Sequence, residues 1–148
     1  MGVYSREVVE AVAEVLKNLG SEKALIVHGL DGMDEVSISE ETFVAELSGG
    51  IIKTYTIKPE DFCVKRVPHK ELAVKSPEES GAIIMRVLEG GEGAARDVVI
   101  LNGACALVVA DMADTIREGI KLAARSIDSG KAMVALKKLI EISNIRKS

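Results

Sequence analysis

Gly20-Ser21-Glu22-Lys23-Ala24-Leu25-Ile26-Val27-His28-Gly29 decides the fold. Its centre, Lys23 to Val27, is a short apolar run bounded by turn residues, the pattern of a strand buried on both faces in a parallel sheet. Before it, Val8, Val9, Val12, Val15, Leu16 and Leu19 recur at helical spacing behind a Ser5 N-cap, with Glu7 and Glu10 at the positive end. Gly20 supplies the residue past the helix end. Helix, tight turn and buried strand make half of a βαβ repeat, so the following residues sit at the strand's carboxyl end, where open α/β sheets bind ligands.

Downstream, Thr42-Phe43-Val44-Ala45-Glu46-Leu47 and Ile51-Ile52-Lys53-Thr54-Tyr55-Thr56-Ile57 are β-branched or aromatic and partly alternating. Ser48-Gly49-Gly50 between them reads as a three-residue turn, and the pair as an edge hairpin. Pro59 removes a ladder donor and closes it. Residues 63 to 77 hold Pro68 and Pro77 and read as an irregular charged connection. Ser76 or Pro77 opens a helix with Ile83, Ile84, Val87 and Leu88 inward and Gly90-Gly91 at its end. Ala94 to Ala113 is apolar almost all round, which places it at a domain centre. Two amphipathic helices follow, about Thr115 to Ile127 and Lys131 to Ile142. The expected architecture is α/β: one domain over 1–148, a short mixed sheet with an edge hairpin, and surrounding helices. Only one strand reads as central, and a parallel strand needs parallel neighbours. Part of the sheet is therefore expected to lie outside this sequence.

Composition narrows the function. The 148 residues are 47% apolar and 28% charged, which excludes disorder. No apolar window approaches the ~18 to 20 residues of a membrane span, and the N-terminus lacks a signal-peptide profile. A net charge of −4 with 3% aromatics argues against nucleic acid and anionic membranes as partners. Cys63 and Cys105 have no metal-ligating neighbours at zinc spacing and read as free thiols in a reducing, cytoplasmic setting. No phosphate-binding glycine loop follows a strand, and no Ser-His-Asp pattern appears.

Chemistry concentrates in Gly29-Leu30-Asp31-Gly32-Met33-Asp34-Glu35. Adjacent carboxylates at a strand's carboxyl end are hard oxygen ligands, suited to Mg²⁺ held together with substrate phosphates. On composition alone a solvated acidic turn is the commoner reading, because Asp and Gly dominate turns. His28 reads as a hydrogen-bonded scaffold residue and His69 as solvent-facing. Asn102, an amide inside an apolar helix, needs a partner and is expected to bond the backbone of a neighbouring loop.

Several stretches together resemble the anthranilate phosphoribosyltransferase family. They are Gly2-Val3-Tyr4-Ser5-Arg6-Glu7, Ala13 to Gly20, Ala24 to Gly29, Gly32-Met33-Asp34-Glu35-Val36-Ser37, Ala95 to Ala104 and Ala123 to Ala132, in family order. The resemblance implies transfer of phosphoribosyl from phosphoribosyl pyrophosphate to anthranilate, a step of tryptophan biosynthesis. It assigns Asp34 and Glu35 to the acidic pair that holds Mg²⁺ on the donor's pyrophosphate; His28, Asp31 and Asn102 match in position and receive no catalytic role. It covers only the family's C-terminal part. The glycine-rich pyrophosphate loop, the Lys-His-Gly-Asn segment, the anthranilate-contacting Arg and the helical dimerisation domain have no counterpart here, and Met1 falls where the family continues from a preceding strand. Two functions follow: a piece of the transferase, inactive alone and active when complemented by an N-terminal chain, or a non-catalytic α/β module serving as scaffold or assembly partner. Pyrimidine nucleoside phosphorylases share the architecture but fit the Asp-Glu loop less well. An open sheet edge further implies self-association or a partner chain.

Overall fold

The computed structural model describes residues 1–144. Helix α1 (Val9–Asn18) follows a short 3-10 turn at Arg6–Val8, whose entry is capped by Ser5 accepting from the Glu7 N–H. Strands β1 (Lys23–Gly29), β2 (Thr42–Ser48) and β3 (Ile51–Ile57) form one sheet in that order. Helices α2 (Pro77–Leu88), α3 (Ala94–Val109), α4 (Ile116–Asp128) and α5 (Lys131–Asn144) complete the chain. Ser76 and Thr115 cap α2 and α4 by accepting from the N–H groups of Glu79 and Glu118.

The hairpin forms as its alternation requires, with Val44 opposite Tyr55 and Leu47 opposite Ile52. Its loop is shorter than the sequence suggests. Ser48 belongs to β2, and only Gly49 and Gly50, at φ 56° and 77°, make the turn. Two consecutive left-handed residues match the twist of the flanking strands, which a longer turn would relax. β3 is the edge strand, as expected.

β1 is buried from Ala24 to Gly29, yet its long partner is antiparallel: Val27 faces Val44 and Ile26 faces Ala45. Apolar continuity reports burial on two faces and leaves strand direction open, so the reading of β1 as a strand among parallel neighbours is corrected. A parallel partner does lie on the other edge. Gly2 bridges Val27, with the Val27 N–H donating to the Met1 carbonyl at 2.9 Å and the Val3 N–H to the Val27 carbonyl at 3.0 Å. The three-stranded sheet is thus antiparallel, not the mixed sheet expected, with one isolated parallel bridge at its β1 edge.

Alternation along β1 divides the core. Ala24 and Ile26 pack with Phe43, Ala45 and Leu47 against Val9 and Ala13 of α1. Leu25 and Val27 pack with Val36, Ile38 and Val44 against Leu101 and Cys105 of α3. Truncating a fully buried anchor such as Ile26 or Leu101 to alanine costs about 2 to 5 kcal/mol.

Three helical expectations need correction. Val15 and Leu19 are 55% and 78% exposed, because the sheet meets only the Val9–Ala13 side of α1. Ile84 of α2 is also exposed, leaving Val87 as that helix's buried anchor. Helix α3 ends at Val109, where Asp111 turns left-handed and the Met112 N–H reaches back to the Leu107 carbonyl. It is buried at Leu101, Ala104 and Cys105 while Val99 faces out, so it covers one face of the sheet and is not enclosed on all sides. The connection after Cys63 is irregular apart from a turn at His69–Glu71.

Candidate functional site

β1 delivers the chain at Gly29 into a loop that closes on itself. The Gly29 N–H donates to the Met33 carbonyl and the Gly32 N–H to the Gly29 carbonyl, both at 2.8 Å, and Gly32 takes the positive φ this turn requires. The Leu30 N–H ties the loop to the Glu41 carbonyl at 2.8 Å. Ser37 anchors the far end: its hydroxyl donates to Asp31 Oδ2 at 2.8 Å and accepts from the N–H groups of Ser39 and Glu40.

These bonds separate the three carboxylates. Asp31 turns inward, its side chain only 9% exposed, with the Met33 N–H on Oδ1 and His69 Nδ1 at 3.6 Å from Oδ2. Asp34 and Glu35 are exposed and enter no ion pair among the described residues. Asp31 therefore shapes the loop, and the adjacent pair is left free to take a ligand. His69 is half-exposed as expected, but its approach to Asp31 was beyond sequence reasoning: 38 positions of chain separate the two.

The pair opens on a groove of about 450 Å³ between β1, the N-terminal segment and α3. Its floor is apolar, from Leu25, Val27 and Val109, and Asn102 and Cys105 form the α3 wall. Burial pushes the Cys105 thiol up to about 11, so it stays protonated and offers neither a thiolate nucleophile nor a ligand at neutral pH. Asn102 does what an enclosed amide must: Oδ1 accepts from the Val36 N–H at 2.9 Å and Nδ2 donates to the Val36 carbonyl at 3.0 Å. His28 is the expected scaffold residue, its Nδ1 donating to the Val3 carbonyl at 2.9 Å.

Among the described residues no group of three or more His, Cys, Asp or Glu side chains could hold a metal. Two carboxylates fit a cation that takes its remaining oxygens from water and a phosphate ligand, the usual habit of Mg²⁺, and do not fit a closed protein cage. No described helix is long and apolar enough to cross a membrane.

Residues 1–133 match the model of the glycosyl transferase family α/β domain. The chain belongs to that family. It is 46% identical over 144 residues to the anthranilate phosphoribosyltransferase of Aquifex aeolicus and 45% identical over 144 residues to that of Methanobrevibacter smithii. Each alignment takes in 97% of this chain but only 42% and 43% of the relative's length. Among solved glycosyl transferase family structures, the anthranilate phosphoribosyltransferase of Thermus thermophilus superimposes with a TM-score of 0.83 at 34% identity, covering 93% of this chain and 40% of that one. The Saccharomyces cerevisiae enzyme in complex with phosphoribosyl pyrophosphate and Mg superimposes with a TM-score of 0.85 at 28% identity, covering 95% and 41%. The same yeast enzyme has also been solved with 4-fluoroanthranilate. The fold is therefore that of a portion of the glycosyl transferase α/β domain.

Proposed function

We propose that this chain is the part of an anthranilate phosphoribosyltransferase that carries the metal-binding carboxylates Asp34 and Glu35, and that it works only together with the rest of the enzyme. The observation carrying this is the pair itself: at the carboxyl end of β1, in the fold of enzymes of that activity, two neighbouring carboxylates with no ion pair among the described residues stand over a groove while Asp31 is turned away. Mg²⁺ bound there would offset charge on the departing pyrophosphate. The chain's own contribution would be the two carboxylates that hold that cation at the carboxyl end of β1.

The remaining work is positioning two substrates, and it needs surfaces that about two-fifths of an enzyme does not supply. The partner proposed is the rest of the transferase, whether in a longer polypeptide or a second chain. The open edge of β1 supports one way for it to dock. Residues Met1–Val3 run parallel to β1 beside Val27, and by the ladder's alternation the Leu25 N–H points to the same side, into the groove. A strand continuing along that edge completes the sheet. The test is reconstitution with the missing portion of a relative, assayed by loss of anthranilate fluorescence with phosphoribosyl pyrophosphate and Mg²⁺. Activity on mixing supports the reading. A stable complex that stays inactive supports the alternative, a non-catalytic assembly module.

A further inference from the structure

We propose that Asn102 is a positioning residue for the acidic pair, setting the affinity of Asp34 and Glu35 for a divalent cation through the backbone of Val36. The inference rests on the metal reading of that pair. Asn102 sits on α3, and Val36 directly follows Glu35 in the loop. One side-chain amide satisfies both polar groups of a single residue: Oδ1 takes the Val36 N–H at 2.9 Å and Nδ2 gives to the Val36 carbonyl at 3.0 Å. The second Nδ2 proton goes to the Val98 carbonyl, one helical turn back, at 3.0 Å. All three bonds have good geometry, so the amide has no freedom to flip or to follow a moving loop.

Val36 is 2% exposed, and its N–H and carbonyl have no water to turn to if the amide is lost. The clamp is therefore a rigid link from α3 to the residue beside Glu35. The Met33 carbonyl, next to Asp34, is held by the Gly29 N–H, and the tie at Val36 is the one next to Glu35. Asn102 also lines the same groove as both of them. Groups that orient metal-binding carboxylates from behind are worth a large share of the affinity.

Few other side chains can do this. Aspartate keeps the bond from the Val36 N–H, but its second oxygen would face the Val36 and Val98 carbonyls without a proton. Leucine and alanine satisfy neither group.

The test titrates the ¹⁵N-labelled chain with Mn²⁺ in the presence of inorganic pyrophosphate, following paramagnetic broadening at residues 30–36 and the exchange rate of the Val36 amide. Asn102→Ala should weaken Mn²⁺ by about tenfold or more, speed Val36 exchange, and leave the β2–β3 resonances in place. The loss should be non-additive with Asp34→Asn, because both act on one site. Should the alanine variant fail to fold, Asn102→Leu, which fills the same volume and bonds neither Val36 group, is titrated instead, with the same loss expected. A folded variant with wild-type Mn²⁺ affinity, or a loss that adds to that of Asp34→Asn, overturns the inference and leaves the metal reading standing. Absence of Asp34-dependent Mn²⁺ broadening in the wild-type chain overturns the metal reading, and the inference with it.

Discussion

Gly2 abuts the backbone carbonyl of Asp34 so closely that a Cβ at position 2 would fall on that oxygen. The N-terminal segment, held to β1 by its parallel bridge at Val27, is thereby pressed against the acidic loop. Gly2→Ala must displace one of the two. Because the bridge and the His28–Val3 bond fix the segment, the loop is the part expected to move. The expected cost is about 1 to 3 kcal/mol of stability, with weaker Mn²⁺ broadening at Asp34. An alanine variant with unchanged melting temperature and unchanged broadening would show that the contact is slack.

Asp34→Asn combined with Glu35→Gln should raise the Mg²⁺ concentration needed for donor use in a complete or reconstituted enzyme. Two carboxylates furnish too few ligands alone, so phosphate oxygens must complete the shell and the effect should appear as a Mg²⁺-dependent change in donor KM. Unchanged magnesium dependence would return the pair to an ordinary acidic turn.

The two thiols should separate cleanly under a thiol reagent at neutral pH. Cys63 is exposed and should react at once in the native chain. Cys105 is buried under β1, and with its thiol raised to about 11 by burial it should react only on unfolding. One fast equivalent followed by a second in denaturant is the expected count. Two fast equivalents would mean that α3 does not stay seated on the sheet.

What the sequence made legible was local. The hairpin could be read because the alternation from Thr42 to Ile57 sets both strands and their register at once, and Ser76 and Thr115 announced their helices because capping needs nothing beyond the next three residues. β1 was legible as a buried strand, but its partner was not, since apolar runs carry no direction. The stripe on α1 overreached at Val15 and Leu19, because periodicity marks the apolar face and says nothing about how much of it meets a neighbour. At the site, Asp34 and Glu35 could be named by resemblance, and Asn102 by the cost of enclosing an amide. The identity of its partner, Val36, 66 positions away, could not, nor could the contact of Gly2 with Asp34. Both depend on tertiary placement with no periodic trace.

The link between residues 36–41 and the turn at Pro59–Phe62 should show in acid. Arg66 bonds Glu60 and Glu40, each at 2.7 Å, and the guanidinium holds the Glu60 carboxyl below its ordinary 4.5. A depressed folded-state pKa stabilises above the unfolded value and is lost as pH falls through the folded one. The wild-type melting temperature should therefore fall as pH drops below the ordinary Glu range, and Arg66→Ala should lower it above that range and flatten the acid limb, the two proteins converging in acid. Both groups are solvent-facing, so the effect should shrink in high salt. Identical pH profiles for the two proteins would show that the pair is not maintained in solution.

The central claim is that these residues hold a cation for a reaction they cannot complete alone. Positioning of two bound substrates supplies roughly 7 to 11 kcal/mol of such a barrier and is lost when either lacks its pocket. The most direct measurement follows anthranilate fluorescence with phosphoribosyl pyrophosphate and Mg²⁺, using the 148-residue chain purified from a host without its own transferase. The account predicts no decay above background. Turnover by the isolated chain that Asp34→Asn abolishes would contradict it.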